Sequence, residues 1–208
     1  MTELPRGVTG AMRVTFYDLR GRTVAELAAD LRRRGPVDSA GKLRSAFSES
    51  KLSWRFSARA NGADCRAADV RVMIAAEVTM PRFTPAEESE PGLLSKWNES
   101  AAGLARHEAG HTEIVVRFAS AIRERILSLR TRCDRFSSEA NGVGNAVVAE
   151  MRAAQEQYDA ETLNGLRQGT AFPPRTVRDS TPAGRYVHSR KTDFAPFRIQ
   201  HSGCSIYT

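Results

Sequence analysis

The chain has 208 residues, of which 41% are hydrophobic and 26% charged, a composition typical of an ordinary globular protein of one domain. A chain of this length buries a core without depending on disulfides or a metal for folding. No segment approaches the roughly 18 consecutive apolar residues that a membrane helix needs, so we expect no membrane span.

The net charge of +7 comes mainly from arginine, which supplies 27 of the 31 basic residues. The densest basic cluster is Arg32-Arg33-Arg34, and the other arginines are scattered among acidic residues. Nucleic-acid-binding proteins usually concentrate their positive charge on one face or in one run. A basic nucleic-acid-binding domain is therefore the least favoured of the functions that the sequence allows.

The N-terminal half has the patterns of strands and one short helix. Val14 and Phe16 alternate with polar neighbours and predict a strand over residues 12–19. A capping box at Thr23 and Glu26 then predicts a helix that ends at Gly35-Pro36. Strict alternation over 52–58 and again over 70–80 predicts an antiparallel hairpin, with a connection around Asn61-Gly62 that is longer than a tight turn.

The C-terminal half changes to a helical period. Apolar residues recur at spacings of three and four from about Leu93 to Leu129, and a second helix is predicted over roughly 139–163. We expect an α+β fold in which a small antiparallel sheet packs against these two long helices. The predicted domain covers residues 12–173, between a flexible leader at 1–11 and an irregular extension at 174–208.

The first long helix contains a His-Glu-x-x-His motif, from His107 to His111. Two histidines four residues apart lie on the same helix face and can share a tetrahedral zinc ion. Glu108 between them is placed to act as a general base toward a water on that zinc. The alternative is that the motif has no function and is a coincidental pair of histidines on a helix that faces solvent. However, Glu108 falls on the apolar stripe of the helix, where a carboxylate without a partner would be costly to bury.

A catalytic zinc site needs a third protein ligand, and the sequence leaves its identity open. The glycine and third histidine of the metzincin extension are absent after His111. The end of the second helix is the natural source, because it is dense in polar side chains between Tyr158 and Gly169.

Motifs spread along residues 14–173 resemble an uncharacterised bacterial family of predicted secreted zinc-dependent proteases. The matching positions are Tyr17, Gly21, Gly35-Pro36, Trp54, Cys65, Met80-Pro81, Trp97, the His107–His111 motif, Cys133 and the block from Tyr158-Asp159 through Thr162, Gly165 and Gln168-Gly169 to Phe172-Pro173. The resemblance implies a zinc cofactor, a peptide or protein substrate, and a periplasmic or secreted location. The N-terminus printed here shows no signal peptide.

The resemblance also implies that a histidine in that block is the third ligand, but this chain has Asn164 at the position. An amide is not a usual zinc ligand. Asp159 or Glu161 could complete the site with a carboxylate oxygen, or His188 or His201 could reach it from the tail. Otherwise the metal is weak or absent, and the protein is a non-catalytic relative that serves as a structural or interaction domain.

Three further residues acquire a role through the resemblance. Tyr158 could donate a hydrogen bond to a developing oxyanion, although a core tyrosine at the end of an apolar stripe is the simpler interpretation. Cys65 and Cys133 match recurrent family cysteines, which implies a disulfide if the protein is exported. If it is not exported, they are two small buried thiols.

Overall fold

The computed structural model describes residues 4–38 and 41–174, together with the main chain of 205–207. Its elements in chain order are β1 (Val8–Leu19), α1 (Val24–Arg34), β2 (Phe47–Asn61), β3 (Asp64–Phe83), α2 (Leu93–Ser128), β4 (Arg130–Arg132), α3 (Cys133–Thr162), a short 3-10 helix (Leu166–Gln168) and β5 (Ser205–Tyr207). The rest of the C-terminal extension, with His188 and His201, lies outside the described residues.

The structure confirms the α+β class, with a sheet packed against helices that include the two long ones predicted. The sheet order is β1-β3-β2-β5, and β4 pairs with the start of β3. The short helix is also confirmed: the Thr23 side chain accepts a hydrogen bond from the main-chain N–H of Glu26, and the Glu26 carboxylate accepts one from that of Arg22. Among the described residues, none of the helices combines the length and apolarity needed to span a bilayer.

Two details of the sheet differ from the sequence prediction. The β2–β3 connection is a tight turn rather than a longer loop, since only Gly62 and Ala63 lie between the two strands, and Gly62 adopts a positive φ of 65°. The sheet is mixed rather than wholly antiparallel, because β1 pairs in parallel with β3. Hydrophobic alternation indicates which face of a strand is buried, but it does not indicate the direction of its neighbour.

The first strand also begins earlier than the sequence predicts. β1 begins at Val8 rather than at residue 12, because β3 extends far enough to pair with the whole segment and Val8 is buried in the core. The last four residues of the expected leader are therefore strand. These extra residues do not alternate in hydrophobicity, which explains why the pattern did not reveal them.

The main core lies between one face of the sheet and the two long helices. It joins Val70, Val72 and Ile74 of β3 to Val115, Ile122 and Ile126 of α2 and to Phe136 and Val147 of α3. Trp54 of β2 fits against Gly144 of α3, where a Cβ atom would come within 2.3 Å of the indole, and its Nε1 donates to Asn141 Oδ1 at 3.1 Å. The sheet thereby fixes the position of α3 as well as that of α2.

The two long helices run antiparallel, and the three residues of β4 connect them. A disulfide joins Cys65 at the start of β3 to Cys133 at the start of α3. Further along, the two terminal guanidinium nitrogens of Arg125 donate to the Glu150 carboxylate, at 2.6 and 2.8 Å. These contacts bring the C-terminal half of α3 alongside the histidine motif of α2.

A smaller core holds α1 against the beginning of α2. It contains Leu19, Leu27, Leu31, Phe83, Leu93 and Trp97, and Phe172 packs edge-on against Trp97. Asp30 is buried at its border, where its carboxylate accepts hydrogen bonds from the main-chain N–H of Arg20 at 2.9 Å and from the side chains of Arg33 and Arg34. Burial raises the pKa of Asp30, but these three hydrogen bonds lower it by more, so its pKa lies below the ordinary value.

We predict that Asp30→Asn lowers the free energy of unfolding at pH 7 by about 1–3 kcal/mol, the typical cost of losing buried charge-assisted hydrogen bonds. Because the folded-state pKa lies below the unfolded value of about 3.9, the carboxylate stabilises the fold fully above that pH. Its contribution is then lost as the pH falls through the folded-state pKa. Urea unfolding of both proteins at several pH values measures the difference.

Asp69→Asn is the matched control, because Asp69 pairs with Arg71 and both side chains are exposed. Such a pair contributes less than about 1 kcal/mol. A difference between wild type and Asp30→Asn that stays constant on acidification would show that the charge of Asp30 does not stabilise the fold.

Candidate metal centre

Two histidines of α2 and one aspartate of α3 converge at the contact between these helices. The Nε2 atoms of His107 and His111 lie 3.2 Å apart. Asp159 Oδ1 lies 3.3 Å from Nε2 of His107 and 3.2 Å from Nε2 of His111. Asp159 is one of the two carboxylates that the sequence offered as a third ligand. These three side chains could hold a metal ion.

The spacing of the three atoms suits a tetrahedral metal. Ligand atoms about 2.0–2.1 Å from a tetrahedral ion lie about 3.3–3.4 Å from one another. The observed separations of 3.2–3.3 Å are close to that value. Three protein ligands leave one position of a tetrahedron for a water or a substrate, and two imidazoles with one carboxylate are an established ligand set for catalytic zinc.

Two glutamine side chains orient the histidine rings. Gln155 Nε2 donates to the main-chain oxygen of His111, and Gln168 Nε2 donates to the Tyr158 hydroxyl at 2.9 Å. Each glutamine therefore turns its Oε1 toward the histidine: Gln155 contacts Nδ1 of His111, and Gln168 contacts Nδ1 of His107 at 2.9 Å. Since an amide oxygen only accepts, both Nδ1 atoms carry hydrogen, and in the neutral histidines both Nε2 lone pairs therefore face Asp159.

The resulting arrangement gathers three hydrogen-bond acceptors within 3.3 Å of one another. Burial raises the pKa of Asp159, but a histidine that is protonated at Nε2 donates a hydrogen bond to its carboxylate, and these hydrogen bonds and the positive charge of the His107 and His111 rings lower the pKa well below its usual range. Burial lowers the pKa of His111, yet hydrogen bonds to Asp159 and Gln155 and the charges of Asp159 and Glu108 raise it overall. The site thus attracts positive charge, whether a proton or a metal cation.

Glu108 lies beside this triad on the side of α2 that faces the sheet. Its side chain is only 6% exposed, and Ser48 of β2 donates a hydrogen bond to its Oε2. Its Oε1 has no hydrogen-bond partner within the described residues, so it can accept a proton from a water. Ser48 was not identified from the sequence, because a serine at the start of an alternating strand carries no signal of its own.

Tyr158 packs directly on the histidines. Its ring stacks on His107 with centroids 5.2 Å apart, and its hydroxyl donates to the His107 main-chain oxygen at 3.2 Å. Gly110 makes room for it, since a Cβ atom at that position would lie 2.1 Å from the hydroxyl oxygen. In this arrangement Tyr158 connects α3 to α2, and its role as an oxyanion donor stays a prediction.

The remaining candidate residues lie apart from the triad. Glu161 accepts a hydrogen bond from Gln157 at 2.7 Å, and Asn164 Oδ1 accepts one from Arg44 at 3.1 Å. Cys65 and Cys133 form the disulfide at the opposite end of α3. His188 and His201 lie outside the described residues. Of the two carboxylates considered, the structure places only Asp159 at the histidines.

Fold and site together define an α+β domain with a two-histidine, one-carboxylate cluster suited to a metal ion. The chain belongs to the bacterial family described as proteins of unknown function, DUF922, whose model matches residues 14–165. That match runs from Val14 within β1 to Gly165 and therefore includes all three residues of the triad. No curated protein and no solved structure matches the chain.

We predict that Gln155→Leu and Gln168→Leu each weaken zinc binding by about 10–100-fold, because the imidazole rings lose the acceptors that fix their tautomer and orientation. Competition with a chromophoric chelator measures the affinity, and circular dichroism checks that the helices persist. Gln157→Leu is the matched control, since Gln157 lies on the same helix and bonds only to Glu161 among the described residues. Unchanged affinity in both ring-facing variants would contradict the tautomer assignment.

Proposed function

We propose that this protein is a zinc-dependent peptidase that uses Glu108 as its general base. The observation that carries the proposal is the triangle of His107 Nε2, His111 Nε2 and Asp159 Oδ1, with sides of 3.2–3.3 Å, next to a buried carboxylate. A coincidental histidine pair on an exposed helix would leave His107 and Glu108 in solvent, whereas both are buried.

The chemistry follows from the placement of these groups. When bound, zinc lowers the pKa of a coordinated water and polarises a substrate carbonyl. Ser48 holds one oxygen of Glu108, so the other oxygen takes the proton of the attacking water and later delivers it to the leaving amine. Gln155 and Gln168 keep the histidine lone pairs directed at the metal position throughout.

The substrate class is inferred from the sequence motifs, and the location is inferred from the motifs and the disulfide. A peptide bond is proposed because the sequence motifs resemble predicted secreted zinc-dependent proteases, and metal-assisted hydrolysis alone does not specify it. Export is supported by the Cys65–Cys133 disulfide, since such bonds persist mainly in oxidising compartments.

A non-catalytic relative is the second candidate, and Asn164 favours it. Its side chain bonds to Arg44 instead of facing the triad, so this chain lacks the ligand that the resemblance implies at that position. The proposal requires Asp159 to replace that ligand, so the two candidates differ in metal content.

We predict that the purified protein binds about one zinc ion per chain and that Asp159→Ala lowers the affinity at least tenfold. Glu161→Ala is the matched control, because it removes a carboxylate of the same helix end that lies away from the histidines. Elemental analysis after zinc loading and gel filtration measures the stoichiometry. Substoichiometric zinc in the loaded wild type would favour the non-catalytic candidate.

We further predict that Glu108→Gln abolishes hydrolysis of a fluorogenic peptide library, with a loss of at least about a thousandfold, and leaves zinc bound. The amide cannot accept the proton of the attacking water, whereas it can still accept the Ser48 hydrogen bond. Glu113→Gln, an exposed position on the same helix, should retain full activity. Wild-type activity in Glu108→Gln would remove Glu108 from the mechanism.

A further inference from the structure

A cavity of about 450 Å³ opens between α1, the segment leading into β2, and the chain that follows α3. Asn164 and Thr170 form one of its walls, with Leu43, Arg44 and Ser45 among the residues lining it from the β2 side. No residue of the proposed metal triad lines this cavity, and neither does Glu108. The cavity is therefore a separate subsite that the chemistry described so far does not use.

The wall formed by Asn164 and Thr170 adjoins the metal centre. The main-chain N–H of Asn164 donates to the Asp159 main-chain oxygen at 2.7 Å. A Cβ atom built on Gly165 would lie 2.4 Å from the Thr170 methyl and 3.0 Å from the His107 ring, so Gly165 lies between the cavity and the metal centre. The two sites are therefore neighbours.

The cavity is positively charged. Arg32, Lys42 and Arg44 line it, and none of the described residues that line it is acidic. Arg44 is held by Asp38 at 2.8 Å and by Asn164 at 3.1 Å. The side chains of Arg32 and Lys42 have no ion pair within the described residues, so their charges are available to a bound anion.

The same cavity also exposes apolar surface. Leu43, Leu163 and Leu166 are large side chains that remain 40–49% exposed, although all three line one cavity. Leu163 is the C-cap of α3, which accounts for its positive φ of 53°. Large apolar side chains that remain exposed in one group are typical of a binding surface.

We propose that this cavity binds an acidic residue of a peptide substrate, together with an apolar neighbour of that residue. The proposal rests on the proposed peptidase function and specifies its substrate class. A nucleic acid fits less well. Among the described residues, Phe172 is the one aromatic residue lining the cavity, and it packs edge-on against Trp97, so none of these residues offers a free ring to stack on a base.

Binding can be tested without hydrolysis by using the full chain with Glu108→Gln. The probes are fluorescein-labelled Ala-Ala-Leu-Glu-Leu-Ala, the same peptide with Gln in place of Glu, and a labelled single-stranded oligonucleotide. We expect the acidic peptide to bind at least tenfold more tightly than the Gln peptide by fluorescence anisotropy. This preference should weaken as salt rises from about 50 to 500 mM.

Lys42→Glu and Arg32→Glu, each in that background, should reduce the preference for the acidic peptide at least tenfold. Arg135→Glu is the matched control: Arg135 is also exposed, but it lies at the other end of α3, about 36 Å along the helix from Asp159. Circular dichroism checks the fold of each variant, and the Gln peptide reports any general loss of binding.

Equal binding of the two peptides would overturn the subsite, and so would a preference that survives both charge reversals. Oligonucleotide binding that is tighter than peptide binding and is lost in Lys42→Glu would also overturn it, in favour of a nucleic-acid site. The proposed function and the subsite can fail independently. If the wild-type protein is inactive but prefers the acidic peptide, the peptidase function is refuted and the subsite stands. If the wild-type protein is active but binds both peptides equally, the subsite is refuted and the peptidase function stands.

Discussion

The metal-binding geometry depends on the register between the two long antiparallel helices. His107 and His111 are fixed relative to each other by one turn of α2, but Asp159 reaches them only if α3 is correctly aligned. A slip of one residue would move Asp159 about 1.5 Å along the helix and turn it about 100° away. The Cys65–Cys133 disulfide anchors one end of α3, the Arg125–Glu150 pair holds its middle, and the stacking of Tyr158 on His107 secures the end at the site.

The sequence predicted the local part of this site and could not predict the rest. The histidine pair depends only on a spacing of four within one helix, so it was visible without a structure. Asp159 and Glu161 are two residues apart and therefore point about 200° from each other around α3. The choice between them is made by long-range packing, which a single sequence does not reveal. The parallel direction of β1 was hidden for the same reason, because alternation defines only the faces of a strand.

The sequence contains one signal for the residues that support the site. Gln155, Tyr158, Asp159 and Thr162 recur at spacings of three and four, so they form a polar stripe that continues the apolar face of Val147 and Met151. Where a helix face changes from apolar to polar but stays packed against another helix, its buried polar side chains need hydrogen-bond partners at that contact. Such a stripe opposite a His-Glu-x-x-His motif therefore indicates polar groups that can orient the histidines.

The hydrogen bonds of the buried polar groups explain why the cluster suits a cation. Gln155 and Gln168 use their amide hydrogens elsewhere, which forces both Nδ1–H groups to donate to them and leaves three acceptors facing one point. Three acceptors this close repel one another unless a positive charge lies between them. A proton shared by one histidine and Asp159 relieves only part of that repulsion, whereas a divalent ion contacts all three atoms. The buried polar groups therefore form an arrangement that could hold a metal ion.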